Sequence, residues 1–161
     1  MRRGAFSLIE LMIVIVIVGV VYTLAVQKIK APKTGLSTPS FVNLKEYLLG
    51  FSKQKQTVTL LCQESCKKCS IYTQGKKIAS IKSFFDASVQ RYRYDFFQGP
   101  LSVEDDSCFE FSVDGDGVSD QLIVVYKDKA YDYSDYFAGT QVYESLDALV
   151  HAKEALIEAV Q

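Results

Sequence analysis

The run from Phe6 to Val26 carries only three polar side chains, Ser7, Glu10 and Thr23. As a helix it reaches about 31 Å at 1.5 Å per residue, and the hydrocarbon core of a bilayer is about 30 Å thick. The sequence therefore predicts one membrane-spanning helix near the N-terminus. Arg2 and Arg3 precede it, which keeps the N-terminus cytoplasmic. No other stretch is long and apolar enough to span, so the remainder is expected beyond the cytoplasmic membrane. A secretory signal peptide needs a small-residue cleavage site after its apolar run, and "LAVQKIKAP" is a poor match. The small residues Gly4 and Ala5 come before the run, where a cut removes only the basic leader.

Glu10 is the anomaly. An unpaired carboxylate in hydrocarbon is costly, and such groups face a partner. No Lys or Arg lies nearby once the leader is gone, but the new α-amino group supplies a positive charge. Within one chain that amine sits about one helical turn away and the bond is strained. A neighbouring helix shifted along the axis presents its amine more naturally. Repeated from subunit to subunit, the pairing builds a helical filament with apolar helices at its centre.

"GAFSLIELMIVIVIVGVV" resembles the class III signal of type IV pilins and type II secretion pseudopilins. The resemblance implies a prepilin peptidase that cuts before an aromatic residue and methylates the new amine. It also implies a Glu as fifth mature residue. With Phe6 first, that Glu is Glu10, so the Ala5–Phe6 bond is the expected cut and Phe6 the methylated residue. Cutting after Gly4 makes Glu10 the sixth residue. Two departures stand out: the family usually has Gly where Ala5 stands, and many members carry a Pro near the end of the span, where this chain has Gln27.

The 161 residues suit one ordinary domain plus an appendage. The expected division is a leader at 1–5, a transmembrane and filament-core helix at 6–30, and a periplasmic globular domain at 31–161. Residues 27–93 carry 13 basic and 3 acidic side chains, and residues 94–161 carry 3 and 15. Halves of opposite sign neutralise each other within one fold or make head and tail faces for like subunits.

The globular part reads as α+β. "KIKAPKTGLSTPS" is a hinge. Thr38 is the expected N-cap, with Pro39 first in a helix to about Lys53. Phe41, Leu44, Leu48 and Phe51 make its apolar stripe. Strand-like runs follow at 57–62, 69–73, 77–85, 89–97, 108–113, 121–127 and 129–134. "GKK" and "KDK" suggest hairpin turns, and "SVEDDS" (102–107) an exposed loop. One antiparallel sheet against one helix is the economical architecture. A C-terminal helix carries Leu146, Leu149, Val150, Ile157 and Val160 on one face, with Leu156 at its border.

Four cysteines behind an export-type N-terminus suggest an oxidising compartment. Cys62, Cys66, Cys69 and Cys108 admit three disulfide pairings. Cys62 and Cys69 flank a six-residue connection and can face each other, leaving Cys66 with Cys108. Cys66–Cys69 is the competing local pair. The spacing also roughly suits a four-thiolate zinc site, and "CKKC" resembles a redox motif without a thioredoxin-like setting. Asp114, Asp116 and Asp120 in "DGDGVSD" are oxygen ligands at calcium-like spacing, but a bidentate Glu is missing and a solvated turn explains them equally well. His151 reads as a surface residue. Arg91 and Arg93, with the lysines of 53–82, are candidate nucleic-acid contacts, although ordinary sheet faces account for them.

No nucleophile–base set and no phosphate-cradling glycine loop is present in the sequence. The expectation is a structural subunit, not an enzyme: a pseudopilin or minor pilin anchored in the inner membrane and assembled into a periplasmic filament. Secretion, pilus and DNA-uptake systems all use such subunits. Its expected partners are the prepilin peptidase, other pilin-like subunits and the membrane assembly platform. The rival reading is a signal-anchored periplasmic binding or redox domain that never polymerises.

Overall fold

The computed structural model describes residues 8–28, 38–53, 55–104, 106–136 and 139–158. The chain divides into two compact units, Met1–Gly35 and Leu36–Gln161. In the first, α1 runs from Leu8 to Lys28.

The second unit begins with a short helix, α2 (Leu44–Leu49), and not with the long helix expected from Thr38. Asn43 explains the delay. Its Oδ1 accepts the Ser40 backbone N–H at 2.8 Å, and its Nδ2 donates to the Thr38 carbonyl at 3.1 Å. These bonds close a turn ahead of the helix, so Thr38 supplies an acceptor and not a cap. The first intrahelical bond runs from Tyr47 N–H to the Asn43 carbonyl.

Two antiparallel sheets follow where one was expected. The first contains β1 (Val58–Gln63), β2 (Lys68–Thr73), β3 (Lys76–Ile81) and β6 (Phe109–Val113), in the order β3-β2-β1-β6. The second contains β4 (Gln90–Asp95), β5 (Gly99–Ser102), β7 (Ile123–Tyr126), β8 (Lys129–Asp132) and β9 (Gln141–Tyr143), in the order β5-β4-β7-β8-β9. The break comes after Ile81, where the predicted strand at 77–85 stops short. Phe84 and Phe85 leave the ladder and enter the core, with the Phe85 ring centroid 5.1 Å from Phe41 and 4.9 Å from Phe109. Burying the Phe85 ring and packing Phe84 against the same cluster outweighs extending an edge strand.

Both expected hairpin turns are present. Gln74 and Gly75 join β2 to β3 with φ of 49° and 73°, and Lys127 and Asp128 join β7 to β8 with φ of 50° and 63°. Positive φ at both central residues is the geometry that matches strand twist in two-residue loops.

Strand alternation builds the core. Leu44 and Leu48 of α2 join Val58, Leu60, Ile71, Phe109 and Phe111 of the first sheet in the main cluster. Val124 and Tyr126 of β7 join that cluster, with Tyr131 of β8 against it. Ile123 of β7 and Ala130 of β8 join a second cluster with Leu149 of the C-terminal helix α3 (Leu146–Glu158). The second sheet is therefore covered on both faces. The expected apolar face of α3 turns inward: Leu149 is fully buried and Leu146, Val150 and Ile157 are half-buried, while Leu156, at its border, is exposed. Val160 lies outside the described residues.

Candidate functional site

The expected processing residues Gly4, Ala5 and Phe6 lie outside the described residues, and Glu10 is placed only as a backbone position in the first turn of α1. Every other side chain of α1 described, from Leu8 to Val21, is exposed. Leu8, Ile9, Leu11 and Val14 point around the helix with more than half their surface open. A helix apolar on all sides has no face suited to water. Counting the described residues only, no helix is long and apolar enough to cross a membrane.

The cysteines sit together at one end of the first sheet. Cys62 and Cys69 are direct cross-strand partners in the β1–β2 register and are disulfide-bonded. Between them, Glu64, Ser65 and Cys66 all take positive φ, 51°, 53° and 62°. That unusual run turns Cys66 inward, where it bonds Cys108, 5.4 Å away between Cα atoms. All four sulfurs are used, so no thiolate remains for zinc or for a redox nucleophile in this oxidised form.

The acidic loop is held by its own backbone. Asp114 Oδ1 accepts the N–H groups of Asp116 at 3.0 Å and Val118 at 2.8 Å. Asp120 Oδ2 accepts Ser112 N–H at 2.7 Å. Asp116 pairs instead with Lys55 at 2.7 Å, and this hydrogen bond and its charge raise the Lys55 pKa. Gly115 allows the close approach of the two segments, because a Cβ there would lie 2.1 Å from the Lys55 backbone. The three carboxylates thus have separate partners. Among the described residues, no group of three His, Cys, Asp or Glu side chains is placed to hold a metal.

Arg91 and Arg93 are two residues apart and share one face of β4, but they differ in burial. Arg93 is exposed, but Arg91 is buried and donates to the Ser107 carbonyl at 3.2 Å. Arg91 is therefore a structural residue and not a nucleic-acid contact. His151 is exposed, 3.6 Å from Glu154 on the same helix.

One feature was missed by reading a strand through to Phe97. β4 ends at Asp95, whose Oδ1 accepts the N–H groups of Phe97 at 2.8 Å and Gln98 at 2.9 Å. The turn leaves Phe96 and Phe97 edge to face at the hairpin tip, 58% and 90% exposed. The signal was available: an Asp directly before an apolar pair, followed by Gln-Gly-Pro, is turn chemistry.

A family model, the prokaryotic N-terminal methylation motif, matches residues 1–26. The chain therefore carries the type IV pilin and pseudopilin signal, and that motif implies processing by a prepilin peptidase. No curated protein and no solved structure matches the chain.

Proposed function

We propose that this protein is a pilin-like structural subunit, a pseudopilin or minor pilin, and not an enzyme. Prepilin peptidase cuts the Ala5–Phe6 bond and methylates the Phe6 amine. Residues 6–30 then anchor the chain in the inner membrane, with the domain from residue 31 onward in the periplasm. Other pilin-like subunits and the assembly platform draw the anchor from lipid into a filament core. That transfer keeps apolar surface out of water throughout. Glu10 receives the methylated amine of a neighbouring subunit.

The observation that carries this reading is the methylation motif over residues 1–26, lying on a helix whose described side chains are apolar and exposed on every side. The two disulfides fit an oxidising periplasm.

Mass spectrometry of the mature N-terminus tests the cut: the expected product begins with N-methylated Phe6. Glu10→Ala should be processed and folded yet absent from filaments. A mature chain that still begins at Met1, or normal assembly of the Glu10→Ala variant, would overturn the proposal and favour a non-polymerising anchored domain.

A further inference from the structure

We infer that the Phe96–Phe97 tip of one copy seats in an aromatic groove of the next, so that the globular domains join head to tail. The groove has a volume of about 430 Å³; its lining includes Phe41, Phe84, Tyr126 and Tyr131, with Lys127 and Lys129 at its rim. The tip offers matching chemistry: two exposed phenyl rings, each able to bury about 150–250 Å².

Register places the two features at opposite ends of the second sheet. Gln90 of β4 pairs with Val125 and Tyr92 with Ile123. β4 therefore starts beside the Lys127–Asp128 turn and runs away from it. From the level of Gln90 to Asp95 is five residues, about 17 Å at about 3.4 Å each, and the tip lies beyond. One domain cannot fold its tip into its own groove. Contacts of this kind, between different patches on identical copies, form rings where the rotation between copies closes and open helical chains where it does not.

Charge selects the occupant. Asp95 gives Oδ1 to the turn, and Glu154 of α3 lines the cleft beside the tip. These carboxylates are repelled by anionic lipid and attracted to a rim made of Lys127 and Lys129. Asp86 lies near the same rim, beside Tyr126; hydrogen bonds from Ser88 lower its pKa first, and the charge of Lys127 adds to that. The second copy therefore offers the groove phenyl rings and carboxylates together, and the same carboxylates turn the tip away from an anionic lipid surface.

The inference rests on the filament reading but fails separately from it. Full-length protein carrying a benzoylphenylalanine in place of Phe97 is expressed in membranes as a mixture of two isotopic forms and irradiated. The expected result is a crosslink between isotopically different copies, mapped to peptides containing Phe84 or Lys127–Tyr131. In Lys127→Glu/Lys129→Glu protein that crosslink should be lost, with processing at Phe6 unchanged. Assembly that depends on Glu10 but crosslinks only to lipid, to residues 29–37 or to other surfaces overturns the inference and leaves the filament reading standing. Absence of any crosslink between copies also overturns it. Retention of Met1 in the mature chain instead marks failure of the filament reading.

Discussion

Lys153 of α3 reaches Asp132 of β8 with Nζ 2.7 Å from Oδ2. The same ammonium donates to Ser134 Oγ at 2.7 Å and lies 5.4 Å from the centre of the Tyr94 ring. Asp132 Oδ1 meanwhile accepts the Ser134 N–H and hydroxyl. One ion pair thus fastens the C-terminal helix to the second sheet. With little of either side chain exposed, removing one partner strands the other. Lys153→Met should lower unfolding free energy by about 1.5–3 kcal/mol. Combining it with Asp132→Asn should cost less than the sum of the two single changes. Urea unfolding followed by circular dichroism checks both.

The two disulfides should differ in worth. Cys66–Cys108 spans a separation of 42 residues and Cys62–Cys69 one of 7. Loop entropy predicts about 4 kcal/mol for the long closure and about 2.4 for the short one. The Cys66→Ala/Cys108→Ala pair should therefore be less stable than Cys62→Ala/Cys69→Ala by about 1.5 kcal/mol. Equal urea midpoints for the two variants would show that packing around the sulfurs outweighs loop length.

The β7–β8 turn offers a gain. Asp128 has φ 63°, a conformation that costs an L-residue energy glycine does not pay. Asp128→Gly should stabilise by about 0.5–1 kcal/mol. The reverse holds at Gly75, φ 73°, where Gly75→Ala should destabilise by about 1 kcal/mol. Thermal unfolding of the two variants should shift in opposite directions.

Tyr133 sets an alkaline limit. Its hydroxyl donates to the Phe41 carbonyl in the core, and burial raises its pKa well above 10.0. The unfolded chain loses this proton at about pH 10, while the folded chain keeps it. Stability from this group is therefore complete below pH 10 and declines as pH rises beyond it. Tyr133→Phe should cost about 1–2 kcal/mol at pH 7, because the Phe41 carbonyl loses its donor. It should also flatten the fall in stability above pH 10, measured by urea titration across pH 9–11.

Local chemistry was the readable part of this chain. The apolar run with its single acid is a constraint on consecutive residues, so the pilin-type signal stands out without an alignment. The Gln74–Gly75 and Lys127–Asp128 turns, and the strands beside them, were visible for the same reason. Features that depend on distant partners were not. The helix expected from Thr38 was cut back by the Asn43 side chain, and Phe84 and Phe85 left their strand for a core that includes Phe109. β9 is three residues long and exists by pairing with β8, too short for alternation to register. β5 contains Gly99 and Pro100, ordinarily turn residues, and is held as an edge strand by Tyr94 and Arg93. The aromatic tip stayed hidden because "RYRYDFF" alternates like a strand, and only the Asp95 hydrogen bonds show where it stops.

The Cys66–Cys108 bridge also governs how the domain answers tension. A pull on the two ends of the chain passes from residue 66 directly to residue 108, bypassing the loop between them. With a separation of 42 residues, roughly 140 Å of contour length is withheld from extension. β3, β4 and β5 lie wholly within that sheltered length, so the oxidised domain can be stretched without these strands bearing the load in series.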